Sequence, residues 1–498
     1  MKTLRISLAC IFWTGITLLL LDISGALHGW LSWMAKVQFL PAVLALNTGV
    51  IIGLVLLTLL FGRIYCSVIC PLGVFQDGVA HIRVARERRH GKRKPYRYRK
   101  EIKWLRYGVW VLFIAALIAG VHAFVAILAP YSAWGRIVQN LLQPVYIWGN
   151  NLIGGIAAHF GSYAFYDKEV WLRSIPAFAV AAATFIAVVV LAWTGGRTWC
   201  NTVCPVGTTL GFLSRFSMFR PVIDTEKCRN CKVCEHNCKA SCIDIDSHKI
   251  DYSRCVDCFN CLDDCKFGAL KYRFAWKGKA ASAASGEAAS PARRAFVSGV
   301  ALAAGSAALK AQTQKLDGGL AAIEKKRIPR RRTPITPPGS VSAANLHDHC
   351  TACQLCVAAC PNDVLRPSTD LSTLMQPESS YERGWCRPEC TTCSEVCPAG
   401  AILKITPEEK TAISIGHAVW HRGHCLPWKD GVECGNCARH CPAEAIIMVP
   451  SDADDPESVK IPAILEEKCI GCGACEYVCP SRPVSAIRVE GHDVHIKK

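Results

Sequence analysis

Four apolar stretches interrupt the polar pattern of the first 200 residues: Ile6–Leu27, Leu40–Phe61, Leu105–Pro130 and Ile175–Trp193. Each is close to the ~20 residues that a helix needs to cross a hydrocarbon core, so four transmembrane helices are predicted. The first is too long, and too soon followed by the second, to read as a cleaved signal peptide. Beyond Arg220 the long apolar runs stop, and a cysteine-dense segment extends to Phe274. A linker rich in Ala, Ser and Gly follows, Lys277–Ser290, then the pair Arg293-Arg294 ahead of an Ala-rich apolar run that ends at Leu309. A basic, Pro-rich stretch, Lys325–Ser340, leads into a second cysteine-dense block from Cys350 to Cys479.

Composition agrees with membrane spans: hydrophobic residues make up 51% of the 498 and mean hydropathy is +0.22, both high for a soluble chain. The formal net charge of +18 suggests nucleic-acid binding until its location is considered. Arg83–Arg106 holds 12 Lys and Arg against Glu87 and Glu101, a net +10, directly between two apolar stretches. It therefore reads as a cytoplasmic membrane loop, and no nucleic-acid partner is expected. Lys2, Arg5, Arg197, Arg215 and Arg220 fall on the same side if the N-terminus is inside. Trp30, Trp33, Trp134, Trp148 and Trp171 then lie toward the outside as an interfacial belt.

The membrane half repeats. Gly62-Arg63-Ile64-Tyr65-Cys66-Ser67-Val68-Ile69-Cys70-Pro71-Leu72-Gly73 recurs as Gly196-Arg197-Thr198-Trp199-Cys200-Asn201-Thr202-Val203-Cys204-Pro205-Val206-Gly207. Each copy follows an outward-to-inward helix, so two similar helical hairpins are predicted, with a shared site at their interface. Within each copy the thiols are spaced i, i+4 and share one helix face. Cys66, Cys70, Cys200 and Cys204 could together hold one metal centre, or act as a dithiol redox pair or as buried structural thiols. Arg63 and Arg197 read as side chains that snorkel to lipid phosphates, with stabilisation of thiolates or of a reduced cluster as the alternative.

The chain has 30 Cys. Cys228, Cys231, Cys234, Cys238 and Cys255, Cys258, Cys261, Cys265 form two C-x2-C-x2-C-x3-C runs, the ligand spacing of 4Fe–4S clusters. In two-cluster ferredoxins the fourth Cys of one run binds the other cluster. The expected sets are thus Cys228, Cys231, Cys234 with Cys265, and Cys255, Cys258, Cys261 with Cys238. The distal block holds Cys350, Cys353, Cys356, Cys360; Cys386, Cys390, Cys393, Cys397; Cys425, Cys434, Cys437, Cys441; and Cys469, Cys472, Cys475, Cys479. The two irregular middle runs suggest nesting, with the first run exchanging its fourth Cys with the last run and the middle two exchanging theirs. Six 4Fe–4S clusters are expected in all. Cys10 reads as an apolar packing residue, and Cys242 as a position where ferredoxins often carry Ala, with a ligand role as the alternative.

The expected fold is multidomain: an α-helical membrane domain of four transmembrane helices in two similar hairpins (1–220), then α+β bacterial-type ferredoxin domains with two clusters (221–275) and four clusters (346–498). The linker between them (276–345) carries the apolar run behind Arg293-Arg294. That run is short for a span and fits a twin-arginine export signal; a cytoplasmic linker is the alternative, favoured by the basic residues after Lys325. Inside the spans, Asp22, Asn47 and His122 fall at similar depth by a ~1.5 Å rise per residue. Asp22 and His122 could exchange protons with a quinol, or bond neighbouring helices and the interface. No Cys-x-x-Cys-His and no Gly-rich dinucleotide fingerprint is present, so neither haem nor NAD or flavin is expected.

Residues 1–274, with two Cys-x3-Cys-Pro motifs ahead of a two-cluster ferredoxin, resemble the NapH-type membrane ferredoxins of periplasmic nitrate reductase systems. Residues 292–498, with Arg293-Arg294-Ala-Phe-Val297 and the Pro337-Pro338-Gly339-Ser340 lead into His349-Cys350, resemble the NapG and MauM periplasmic ferredoxins. The chain looks like a fusion of the two. The resemblance implies oxidation of menaquinol or ubiquinol at a bacterial inner membrane and electron delivery to a periplasmic reductase or small electron carrier. The N-terminus and first ferredoxin domain would be cytoplasmic and the distal domain periplasmic. Such a chain would be a component of a quinol dehydrogenase-type system, not a stand-alone enzyme. A redox sensor or maturation factor for a metalloenzyme, and a polyferredoxin facing the cytoplasm throughout, stay open as alternatives.

Overall fold

The computed structural model describes residues 1–22, 25–91, 95–161, 168–275 and 324–498; the Arg293-Arg294 segment lies outside the described residues. Besides the short helices His28–Lys36 and Phe39–Leu44, the helical half comprises in chain order α1 (Lys2–Leu21), α2 (Thr48–Phe61), α3 (Ile64–Val68), α4 (Pro71–Arg89), α5 (Lys103–Ile118), α6 (His122–Leu128), α7 (Pro130–Ile137), a π-helical turn (Val138–Leu142), α8 (Gln143–His159), α9 (Ile175–Gly195), α10 (Thr198–Thr202) and α11 (Pro205–Ser214). Among the described residues two helices, α1 and α9, are long and apolar enough to cross a membrane, with mean hydropathies of 2.0 and 2.5 in their most apolar windows. The other two stretches are interrupted. Before α2, Leu46 turns to φ 50° and the Asn47 side chain caps the new helix by accepting from the Val50 N–H. The chain leaves α5 through Gly120 at φ 73°, and extended Ala129 precedes Pro130. Asn47 is thus a capping residue.

The repeat forms as two matching units. In each, a glycine with positive φ (Gly62 at 73°, Gly196 at 68°) ends a long helix. A short helix then carries the first thiol, and the second thiol, Cys70 or Cys204, stands at the N-cap of the next helix with Pro at its first position. Proline suits that position because its missing N–H would have no partner there.

The first ferredoxin module closes with β1 (Phe219–Ile223) antiparallel to β2 (Leu270–Phe274). It docks on the glycine turns: a Cβ on Gly62 would lie 2.3 Å from Asp257 Oδ2, and one on Gly196 2.3 Å from the Lys239 carbonyl. The Arg63 and Arg197 N–H groups donate to those two acceptors. The basic stretch lies along the same module, where the Tyr96 N–H donates to His236 O, the Tyr98 N–H to Glu235 and Arg254 to Arg99 O.

The distal module docks at the other end of the bundle. Lys2, at the start of α1, pairs with Asp263 of the first module, whereas near the other end of α1 Leu20 O accepts from Gln139, whose neighbour Asn140 donates to Gln354 of the distal module. Likewise Arg173, just before α9, pairs with Asp363, while Gly196 at its far end meets Lys239. At 1.5 Å per residue both helices are about 30 Å long, and that length separates the two modules. In the distal module β3 (Ile413–Trp420) pairs with β6 (Ile487–Lys497), and β4 (Ile446–Pro450) with β5 (Lys460–Ile464), all antiparallel. The basic segment before it packs on its surface: Arg331 forks onto the buried Glu476 carboxylate at 2.6 and 2.8 Å.

Gly135 is the tightest point of the distal interface, since a Cβ there would sit 2.2 Å from the Cys353 carbonyl. Because the obstacle is backbone, Gly135→Val is expected to displace the 350–356 loop at a cost of about 1–3 kcal/mol. Hydrogen exchange should reveal newly exposed amides in that loop, and unaltered protection there would contradict the close contact. Of the predicted tryptophan belt, Trp30 and Trp148 are exposed, but Trp134 is buried in the core between Trp13 and Phe75, with ring centroids 5.5 and 5.2 Å away. Cys10 faces outward from α1 instead of packing inside.

Candidate metal centres

Each regular cysteine run folds into the same strained loop. Residues two and four after the first Cys have positive φ in all four: Asn230 and Lys232, Asp257 and Phe259, Ala352 and Gln354, Gly471 and Gly473, between 47° and 75°. Non-glycine residues seldom adopt this conformation. Successive left-handed turns aim backbone N–H groups inward, a concavity suited to an anionic group. The loops close around cysteine-lined cavities. One is lined by Cys238, Cys255, Cys258 and Cys261, the predicted crossing in the first module.

In the distal block the cavities unite Cys350, Cys353, Cys356 with Cys397; Cys425, Cys434, Cys437 with Cys479; and Cys469, Cys472, Cys475 with Cys441. Cys360 instead lies among the charges of Cys386, Cys390 and Cys393. The nested exchange expected from spacing is therefore wrong. Neighbouring runs pair, first with second and third with fourth. The reason is strand pairing: β3 against β6 brings Trp420, and Cys425 beyond it, beside Ile487 and Cys479. The short hairpin 365–379 keeps the first run beside the second.

Burial pushes the Cys234, Cys437 and Cys472 thiols up to about 12. Such thiols become thiolates only with a cation at hand, as when they ligate metal. Cys242 sits 3.6 Å, sulfur to sulfur, from Cys238 and lines the same cavity. With Cys238 as ligand, Cys242 is placed to donate to its sulfur. Hydrogen bonds to ligand sulfur raise a cluster's potential, so Cys242→Ala should keep the iron and lower one potential by roughly 40 mV, about 1 kcal/mol. An EPR-monitored redox titration checks this; an unshifted potential, or lost iron, contradicts it.

Cys66, Cys70, Cys200 and Cys204 are all buried where the two copies of the repeat meet, and the copies bond each other reciprocally. Arg63 of the first copy donates to Cys200 O of the second at 3.2 Å, and Arg197 of the second to Cys66 O of the first at 2.8 Å. Each arginine also lies 3.8 Å from a sulfur, Arg63 from Cys66 and Arg197 from Cys200, and Gln76 donates to Cys200 Sγ at 3.2 Å. Both arginines are fully buried, so neither snorkels to lipid. Arg197 is balanced by Asp77 at 2.6 Å. Arg63 bonds Asn201 and Ser253 O, and among the described residues no carboxylate lies within 4 Å of its guanidinium. The Arg63 guanidinium is thus held by amide, carbonyl and sulfur acceptors. A single tetrahedral ion with ~2.3 Å bonds to sulfur would gather thiolates to about 3.8 Å. Among the described residues only His122, His347 and Asp348 bring three ligand atoms within 4.8 Å of one another. Neither the quartet nor any cysteine cage brings three sulfurs that close together among the described residues.

Asp22 and His122 lie in separate surroundings. Asp22 accepts from the Gly25 and Leu27 N–H groups and faces His28 Nδ1 at 3.0 Å, closing its own turn. His122 faces Asp348 at 3.8 Å and the His347 ring. The residue that sequence reasoning missed is Asp77, which joins Arg5, Arg197 and Lys239 at 3.0, 2.6 and 2.6 Å and so ties the repeat to the first module. Its single signal was an acid six residues after the Pro of Cys-Pro in one copy only.

These cages on small α+β modules define an iron–sulfur protein of the ferredoxin class, an electron-transfer protein. A family model described as a 4Fe-4S binding domain matches 45–90 and again 177–222, one match per repeat, and 4Fe-4S dicluster domain models match 349–413 and 432–482. The chain is 31% identical to the methylamine utilization ferredoxin-type protein MauM of Methylobacillus flagellatus over 162 residues, 32% of this chain and 69% of that protein. It is 28% identical to the ferredoxin-type protein NapH of Haemophilus influenzae over 244 residues, 47% of this chain and 70% of NapH. The chain belongs to the MauM family of ferredoxin-type proteins and is a NapH/MauM-like ferredoxin fusion. An uncharacterized protein of Methanocaldococcus jannaschii is 43% identical over 74 residues, 15% of this chain and 29% of that relative, so less than a third of its length is spanned. No solved structure matches the chain.

Proposed function

We propose that this chain connects the quinol pool of a bacterial inner membrane with a redox partner protein on the far side, a periplasmic reductase or a small electron carrier. The observation that carries this reading is the attachment of the two cysteine-rich modules to opposite ends of helices about 30 Å long. All four apolar stretches, the interrupted two included, would cross the membrane in two similar hairpins. Apolar side chains exposed on the bundle, such as Ile52, Leu56, Val111, Leu112, Ile186 and Val190, support contact with lipid. Lys2, Arg5 and the basic stretch lie at the end of the first module, which favours a cytoplasmic position for that end and a periplasmic one for the distal module.

Bound 4Fe–4S clusters supply one-electron transfer with little rearrangement. The 24 cysteines of the six ferredoxin runs would hold six of them, and the repeat quartet one further metal or redox centre. The contacts Cys353–Gly135, Trp134–Phe75 and Gln76–Cys200 form a packed line between the distal cages and the quartet. Asp257 and Lys239 continue it into the first module. The chain thereby acts as one component of a quinol dehydrogenase-type system. Anaerobic mixing of the holoprotein with decylubiquinol, or with a menaquinol analogue, is expected to bleach the visible absorbance and raise the EPR signal of reduced clusters. Failure of both donors, with the redox partner present, rejects the quinol reading.

A further inference from the structure

A cavity of about 350 Å³ lies between the helical bundle and the distal module and is not lined by Asp22 or His122. We propose that this cavity binds a quinone or quinol ring, an inference that rests on the quinol reading above and locates its site.

The cavity is built by an irregularity in the helix. Between α7 and α8 the chain widens into the π-helical turn Val138–Leu142, and Gln139 and Asn140 of that turn line the cavity. Single π-helical turns recur at functional sites. The polar inventory is nearly closed but for one group. Gln139 donates to Leu20 O and accepts from Arg173 at 3.0 Å. Asn140 donates to Gln354 Oε1 at 3.1 Å. Gln354 is only 3% exposed, yet its Nε2 has no partner. A buried amide donor left unpaired costs about 1–3 kcal/mol, which a ligand oxygen at this place would recover.

The other walls combine an apolar face for a flat ring with charged side chains that are already paired, Arg173 with Asp363 and Arg383 with Glu169. Pro144, Ile147, Leu172 and the Trp171 indole line the cavity, and the Arg383 guanidinium covers the indole at 4.3 Å. Outside the cavity α8 exposes Val145, Trp148 and Leu152, an apolar rim by which a lipid-dissolved molecule would enter. Cys360, a member of the cage with Cys386, Cys390 and Cys393, forms part of the wall. A ligand with ring oxygens for amides, a planar body for apolar walls and a lipid-soluble tail is of the quinone class.

The test uses the detergent-solubilised holoprotein and an azido-substituted decylubiquinone, with covalent attachment mapped by mass spectrometry. One saturable site is expected, labelled within 139–147 or 168–173 and competed by unlabelled decylubiquinone. Gln354→Leu should weaken binding about tenfold, the worth of one hydrogen bond to a buried group. Because Gln354 lies between two cysteines, Ile147→Trp serves as the second variant. It fills the cavity from the helical side and should weaken binding while the cluster absorbance stays unchanged. Label elsewhere, or native binding by both variants, overturns the site; if decylubiquinol still reduces the clusters, the quinol reading survives that loss. Binding at the cavity without any reduction of clusters keeps the site and removes the quinol reading.

Discussion

Asp77→Asn is expected to destabilise the protein by about 3–5 kcal/mol, the range found when one partner of a buried ion pair is removed. Asp77 is the counter-charge for Arg197 and Lys239 and also holds Arg5. The amide removes the charge while preserving shape, leaving cations from α1, the second repeat and the first module without a balancing acid. Burial alone would push the Asp77 carboxyl up, but Arg197 and Lys239 beside it hold it well below the usual carboxylate range. A carboxyl depressed in the folded state stabilises above its unfolded value, ~3.9, and the contribution is lost only as pH falls through the lower folded value. The contribution of Asp77 should therefore be undiminished from neutral pH down to about pH 4. Thermal unfolding of the holoprotein at pH 7 and pH 5 checks both parts: the variant should melt well below the native chain at both, by a similar margin. A melting temperature within a degree or two of native would contradict the central place given to this carboxylate.

Cys397→Ser is expected to disable one distal cage and no other outright. The cavity geometry groups Cys397 with Cys350, Cys353 and Cys356, so the variant should make those three thiols alkylatable while Cys425, Cys434 and Cys437 stay protected. Cys479→Ser should do the reverse, freeing Cys425, Cys434 and Cys437. The nested arrangement predicts instead that Cys479→Ser frees Cys350, Cys353 and Cys356. Differential alkylation with peptide mapping, together with total iron, separates the two arrangements directly. The effect is large because a buried thiol with its pKa raised by desolvation gains little from a partial cage: burial holds Cys350 and Cys356 well above the ordinary thiol value, and three such thiols without a fourth bind metal weakly.

These two variants also mark the boundary of what the chain's residues disclose in one dimension. Ligand spacing within a run is local, so the C-x2-C-x2-C loops could be read directly, and the left-handed residues inside them follow from wrapping a loop tightly around a centre. Pairing between runs is not local. It depends on which strands meet, and β3 with β6 joins positions about 70 residues apart, which the cysteine spacing does not encode. The repeat was legible because both copies keep Gly-Arg and Cys-x3-Cys-Pro. The fate of its arginines was not. Snorkelling is the ordinary behaviour of an arginine at a span's end, but here the first module covers that end and seals Arg63 and Arg197 inside. Trp134 is buried for another reason: it faces the bundle interior, packed between Trp13 and Phe75, while Thr17 accepts from its indole N–H. Composition alone also could not reveal the interruptions at Leu46–Asn47 and Gly120, because a hydropathy window averages over a single turn of the backbone.

The central claim is that the two cysteine-rich modules occupy opposite sides of a membrane. A tag after Lys498, probed with protease in intact spheroplasts and in inverted vesicles, tests it most directly. Cleavage in spheroplasts with protection in inverted vesicles is the predicted result, placing the distal module outside. Protection in spheroplasts with cleavage in inverted vesicles would put every cage on the cytoplasmic side and contradict the claim.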